Sequence, residues 1–192
     1  MPWDQYTLRQ FESAVPLGEH DESRYYGPYN TLLRDLFPKE EGYMIVPQYK
    51  RSVQLRSIDF TTIFLVQQGE SPVFFVEIKP AGHIHRASAR AAADKEMREK
   101  VNDLIDSINI PKLCGVSAIG TKVCFYEYTK DTGQLEPERI ADSNMFVVDT
   151  APRDRWCVDI LTAEGEQELR DVIGDVKRMC EQVNQGWLSH SC

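Results

Sequence analysis

The chain has 192 residues, 42% of them hydrophobic, which is typical of a folded globular protein. Thirty acidic residues against 22 basic ones give a net charge of -8, which excludes a generally basic surface, so any contact with nucleic acid must be local. The five cysteines are odd in number and lack the close spacing of a zinc site, which favours free thiols in a reducing compartment.

The N-terminal segment has no apolar core of the kind found in signal peptides. No stretch of the sequence approaches the roughly 20 apolar residues that are needed to span a membrane. The sequence therefore predicts an intracellular protein, in the nucleus or cytoplasm, that makes no membrane contact. Its length predicts a single domain over residues 1–192.

Hydrophobic periodicity and turn residues predict a chain in which helices and strands alternate. In order, these are a short helix at 6–14, a helix at 25–37, a strand at 43–48, a hairpin with strands at 58–66 and 73–78, a long helix at 86–108, a strand pair at 113–119 and 123–129, a short strand at 145–148 and a closing helix at 163–183.

The hairpin carries three charged residues, Asp59, Glu77 and Lys79, in otherwise apolar strands. A turn at 68–69 would place Asp59 opposite Glu77, and side-chain alternation places Glu77 and Lys79 on one face. Two neighbouring carboxylates repel unless a cation lies between them, and hard oxygen ligands suit Mg²⁺ or Mn²⁺. The pattern therefore predicts a metal site, although the same charges could form an ordinary ion pair at a strand end.

Asp59, followed by Glu77-Ile78-Lys79 at the end of the second strand, resembles the signature of the PD-(D/E)XK nuclease superfamily, with Ile58 replacing the usual proline before the Asp. The predicted order of elements over about 22–130 is similar to the αβββαβ core of that superfamily. The resemblance implies a restriction-endonuclease-like α/β fold, with a central mixed sheet flanked by helices and an extra C-terminal helix. On this interpretation an N-terminal arm (1–22) precedes the core (23–130), and a C-terminal strand and helix (131–192) follow it.

The resemblance also implies a metal-dependent endonuclease that hydrolyses phosphodiester bonds, with DNA as the expected substrate. Asp59, Glu77 and the Ile78 carbonyl would bind Mg²⁺ or Mn²⁺, while Lys79 would orient the attacking water. The alternative is a nuclease-like domain without catalysis that acts as a binding or effector module, which the acidic charge balance favours. Many nucleases of this fold are dimers, so a homodimer is possible.

Family members often add an acidic ligand from the first helix, and here Glu22 is the candidate, with Glu19 as the alternative. Gln48, at the end of the strand before the hairpin, could line the cleft. His83 and His85 follow Lys79 in a loop and could contact a phosphate or a metal, or could simply be solvated.

The segment after Lys79 is locally basic, with six basic residues against three acidic ones over 79–100. The superfamily usually presents this helix to the nucleic-acid backbone, and Lys95 could also stand in for a glutamine that some members carry there. The same residues could instead be the solvated face of an amphipathic helix. The nucleic-acid contacts predicted on this helix are Arg86, Arg90, Lys95 and Arg98.

Overall fold

The computed structural model describes residues 3–47 and 63–189, so Asp59 and Gln48 lie outside the described residues. That part of the chain contains four α-helices and seven β-strands and belongs to the mixed α/β class, as predicted. The helices are α1 (Gln5–Ala14), α2 (Ser23–Leu36), α3 (Ala87–Leu104) and α4 (Ala163–Ser189). The strands are β1 (Tyr43–Pro47), β2 (Ile63–Gln68), β3 (Ser71–Lys79), β4 (Lys112–Ile119), β5 (Lys122–Thr129), β6 (Gln134–Glu136) and β7 (Val158–Asp159).

The strands form one open mixed sheet in the order β1-β2-β3-β4-β5, and β6 and β7 both pair with β5. All neighbouring strands are antiparallel except β3 and β4, which are parallel and are connected through α3. Parallel strands need such a crossover because the chain must return to the same end of the sheet. The two strands are buried along nearly their whole length, as expected for the centre of a sheet.

Side chains of β3 alternate between the two faces of the sheet. A Cβ built on Gly115 of β4 would lie 2.5 Å from the Phe75 ring and 3.0 Å from the Met97 side chain, so Phe75 faces α3. Phe74 faces the other side, where its ring centroid is 5.4 Å from that of Phe37. Because of the alternation, the charged residues at the end of β3 also lie on the α3 side.

The hairpin register differs from the predicted one. The chain turns at Gly69–Glu70, with Gly69 in the left-handed region at φ 62°, and the strands have an irregularity between Val66 and Gln67. Ile63, rather than Asp59, therefore lies opposite Glu77. The predicted pairing of Asp59 with Glu77 was wrong because the turn falls later in the chain than expected.

The predicted strand at 145–148 is also wrong, since this segment is irregular. Its three large residues, Met145, Phe146 and Val147, are exposed to solvent. The backbone N–H groups of Met145 and Phe146 donate to the Ser143 hydroxyl, a local turn that competes with strand pairing. The available edge of β5 is taken instead by β6 and β7.

The helix predictions agree well with the structure. The segment 86–108 becomes α3 followed by a 3₁₀ turn at Ile105–Ser107, and 163–183 becomes the longer α4. The loop after Lys79 forms a 3₁₀ helix, Ala81–His85. None of the helices in the described ranges is both long and apolar enough to cross a membrane.

Candidate functional site

Glu77 is the most unusual side chain in the sheet. It lies in β3 between Ile63 of β2 and Ser117 of β4, and it is 0% exposed. Neither of its carboxylate oxygens has a hydrogen-bond partner among the residues that the structure describes. Buried charged groups are nearly always paired, so an unsatisfied carboxyl group in the centre of a sheet indicates a functional position.

Lys79 and Glu96 complete a three-residue cluster with Glu77. The Lys79 Nζ lies 3.4 Å from Glu77 Oε1 and forms a close ion pair with Glu96 Oε2. Lys79 reaches this position because it is two residues after Glu77 on the same face of β3. Glu96 reaches it from α3, where it directly precedes the buried Met97 that packs on the sheet.

The pKa values of the two carboxyl groups in the cluster are shifted in opposite directions. Burial, followed by the neighbouring Glu96, raises the pKa of Glu77 well above its usual range. Burial also opposes ionisation of Glu96, but its contacts with Glu77 and Lys79 outweigh that effect and lower its pKa. Burial opposes the charge on Lys79, but the nearby carboxylates, with Glu77 the strongest, raise its pKa. The surroundings of the cluster therefore favour the protonated form of Glu77, the ionised form of Glu96 and the charged form of Lys79.

Glu22, His83 and Lys100 surround this cluster. Glu22, which immediately precedes α2, accepts a 2.8 Å hydrogen bond from the Tyr26 hydroxyl and contributes to the raised pKa of Lys79. Burial, together with the positive charges of Arg86 and Lys79, lowers the pKa of His83. Burial also lowers the pKa of Lys100, against the attraction of Asp103 and Glu77.

The site residues predicted from the sequence are thus only partly brought together. Glu77 and Lys79 are in contact, Glu22 is near Lys79, and Ile78 lies on the opposite face of β3 with its side chain buried. Asp59 lies outside the described residues. Glu96 was missed because it directly follows Lys95 in a segment interpreted as a nucleic-acid surface. Its place beside the apolar Met97 was the available signal.

Two of the four predicted nucleic-acid contacts have internal partners. Arg90 is 6% exposed and donates to Ala151 O at 2.8 Å, Ile84 O at 2.9 Å and Asp149 Oδ2 at 2.5 Å. This arginine holds the segment before Ala151 against α3. It is a structural residue in this conformation and has no exposed guanidinium to offer a phosphate.

Arg98 is similarly occupied, with two hydrogen bonds to Asp94 at 2.8 and 2.9 Å and one to the Pro137 carbonyl at 2.8 Å. Arg86 and Lys95 are exposed, although Lys95 Nζ lies 3.5 Å from Glu99 Oε1. The exposed basic charge of α3 is therefore smaller than its sequence suggests.

The carboxylates fit a hard divalent cation, which the resemblance implies. Buried oxygens without hydrogen-bond donors are the ligands that Mg²⁺ and Mn²⁺ prefer. Residues 3–47 and 63–189 contain no group of three or more His, Cys, Asp or Glu side chains arranged to hold a metal ion. The described part of the site thus supplies two acidic side chains, Glu77 and Glu96.

Comparison of the chain with protein-family models, with curated proteins and with solved structures found no match.

Proposed function

We propose that this protein is a Mg²⁺-dependent nuclease of the PD-(D/E)XK type, with a restriction-endonuclease-like core, that hydrolyses phosphodiester bonds in DNA. The observation that carries this proposal is the fully buried Glu77 carboxyl group, which has no hydrogen-bond partner among the described residues and lies beside Lys79 at the end of a central strand. A purely structural ion pair would leave fewer of its polar atoms unsatisfied.

In this mechanism Glu77 and Asp59 would hold Mg²⁺. The bound ion would supply Lewis-acid chemistry, lowering the pKa of a water molecule and neutralising charge on the phosphodiester. Lys79 keeps its proton because of the surrounding carboxylates, so it acts as a hydrogen-bond donor rather than as a general base. Its ammonium group can orient the attacking water or stabilise the charge that develops on the phosphate oxygens. The burial of Glu77 strengthens these electrostatic interactions by excluding bulk water.

Cleavage assays with single-stranded, double-stranded and branched DNA and with RNA test the proposal. The parent protein should cut at least one DNA substrate in Mg²⁺ or Mn²⁺ and none in EDTA. Asp59→Asn, Glu77→Gln and Lys79→Met should each reduce the cleavage rate by about 10²-fold or more, since each removes an interaction made to the reacting groups.

Lys39→Met and Glu40→Gln provide matched controls, because both side chains are highly exposed on a turn that contains none of the site residues, and they should cut at the parental rate. The proposal is wrong if all substrates remain uncut by the parent protein, or if the three site variants cut as fast as the controls.

A second candidate is a catalytically inactive nuclease-like domain that binds a partner. The specific observation that favours it is the internal pairing of Arg90 and Arg98, which reduces the exposed basic charge of α3 in a chain of net charge -8. Such a module would cut nothing, and any oligonucleotide that it bound would bind equally well in EDTA and in Mg²⁺. Fluorescence anisotropy with the substrates of the cleavage assay distinguishes the two candidates.

A further inference from the structure

We propose that Glu96 of α3 is a direct ligand of the divalent cation held by Glu77, so that the cation site spans β3 and α3. This inference rests on the metal dependence in the proposed function and adds a ligand that the sequence signature does not include. It also assigns the role expected of Glu22 to a residue on a different helix.

Lys79 lies between the carboxyl groups of Glu77 and Glu96. Its ammonium group contacts Glu96 Oε2 and lies 3.4 Å from Glu77 Oε1. A metal ion at the position of the Lys79 ammonium group would therefore lie close to carboxylate oxygens of both Glu77 and Glu96. Lys79 is 11% exposed and Glu77 is 0% exposed, so the meeting point is largely shielded from solvent.

The buried carboxylate oxygens of Glu77 and Glu96 have few hydrogen-bond donors near them among the described residues. Both Glu77 oxygens and Oε2 of Glu96 are buried and lack a hydrogen-bond partner among the described residues. Lys79 brings a single ammonium group to these three oxygens, in contact with Glu96 Oε2 and 3.4 Å from Glu77 Oε1. A divalent cation with six or more oxygen ligands would satisfy several of these atoms at once.

Glu22 is less suited to the same role. The Glu22 carboxylate accepts a hydrogen bond from the Tyr26 hydroxyl, and the residue is half-buried. Its negative charge contributes to the raised pKa of Lys79. Glu96 presents a buried oxygen to the cluster beside Glu77, where it already contacts a cation, the Lys79 ammonium, whereas the Glu22 carboxylate accepts from Tyr26. If a cation were bound by the Glu96 oxygens, Lys79 would lose its closest ion pair and could then donate to a substrate phosphate.

The test measures Mn²⁺ binding to the complete protein, without nucleic acid, by electron paramagnetic resonance. Glu96→Gln and Glu77→Gln should each weaken Mn²⁺ affinity by at least about tenfold, because each replaces an anionic ligand with a neutral amide. Glu22→Gln should change the affinity less than twofold.

Glu99→Gln is the matched control, since Glu99 lies one turn further along α3, is largely exposed and forms an ion pair with Lys95 on the surface of the helix. It should bind Mn²⁺ as the parent does. Circular dichroism establishes that each variant is folded. If Glu96→Gln does not fold, Glu96→Asp, which keeps the charge but shortens the side chain, should show the same loss of affinity.

A folded Glu96 variant that binds Mn²⁺ as tightly as the Glu99 control would overturn the inference, and so would a parent protein that binds no Mn²⁺. These outcomes are separate from failure of the proposed function. A protein that cuts no nucleic acid but binds Mn²⁺ through Glu77 and Glu96 would contradict the proposed nuclease and support Glu96 as a ligand. Metal-dependent cleavage, together with parental Mn²⁺ affinity in Glu96→Gln, would support the nuclease and contradict Glu96 as a ligand.

Discussion

At the scale of single residues, the raised pKa of Glu77 predicts that this group lowers the free energy of unfolding at neutral pH. Burial raises its pKa well above the ordinary value of 4.5. At a pH below that ordinary value the carboxyl is protonated in both the folded and unfolded states. Its favourable contribution to the free energy of unfolding is then fully present. As pH rises towards the folded-state pKa, the unfolded state releases its proton first and that contribution is lost. The group therefore penalises folding across neutral pH.

Glu77→Gln should consequently raise the free energy of unfolding at pH 7.5, by about 1.4 kcal/mol for each unit of pKa elevation that is removed. The melting temperature should rise by about 2–4 °C per kcal/mol in a chain of this size. The difference from the parent should shrink towards zero near pH 4, where the carboxyl is neutral in both states. Thermal unfolding followed by circular dichroism across this pH range measures the effect.

Glu99→Gln, an exposed change on α3, should show no comparable dependence on pH. If Glu77→Gln were less stable than the parent at pH 7.5, then Glu77 would be a stabilising ion-pair residue and the interpretation of its buried, neutral carboxyl would be wrong.

At this scale the sequence predicts part of the candidate site. Alternation along an apolar strand is enough to place Glu77 and Lys79 on one face. Glu96 is not predictable in the same way. Its contact with Lys79 depends on the position and rotation of α3 on the sheet, which local sequence patterns do not determine. Arg90 was predicted to contact nucleic acid because it lies in a locally basic segment, whereas the structure holds it on the Ile84 carbonyl and on the Ala151 carbonyl, which is distant in sequence.

At the scale of elements, the distance between α3 and the sheet depends on Gly115. A methyl group there would press on the Phe75 ring and the Met97 side chain, which pack together beneath the helix. Gly115→Ala should therefore destabilise the protein by about 1–3 kcal/mol, as overpacking in a core commonly does. Chemical denaturation measures this change.

Gly174→Ala is the matched comparison, since Gly174 lies inside α4 and a Cβ built there has no heavy atom within 4 Å. Alanine is the better helix former, so this variant should gain about 0.5–1 kcal/mol. Equal effects of the two alanines would contradict the close packing of α3 on β4.

Elements with strong periodicity are predicted well, and elements that depend on distant partners are not. The helix α2 and the central strands follow from local patterns of apolar residues. The short strands β6 and β7 carry little pattern of their own and exist because they pair with β5. Conversely, 145–148 has the composition of a strand but is irregular and pairs with none of the described strands.

At the scale of the whole molecule, the acidic charge limits how nucleic acid can be held. If the protein binds DNA at the proposed site, the basic residues predicted there that remain for phosphate contact are Lys79, Arg86 and Lys95, because Arg90 and Arg98 have internal partners. Three phosphate contacts give a slope of log K against log salt of about -2 to -3. A protein using all of the predicted basic residues would have a steeper slope.

Anisotropy titrations with the non-cleaving Glu77→Gln variant at several salt concentrations measure this slope. Arg86→Ala and Lys95→Ala should each reduce its magnitude by about 0.9, whereas Lys39→Ala, at a highly exposed position outside the site, should leave it unchanged. A slope steeper than about -5 would mean that further basic residues contact the nucleic acid.

The parallel pairing of β3 with β4 through α3 has a consequence for the order in which the chain folds. Glu77, Lys79 and Glu96 all belong to this one strand–helix–strand unit, and only 18 residues lie between Glu77 and Glu96 in the sequence. Because the entropy lost on closing a loop grows with its length, bringing these three side chains together requires a comparatively small loss of chain entropy. We therefore expect this part of the site to assemble early, as soon as the unit docks, before the terminal helices complete the core.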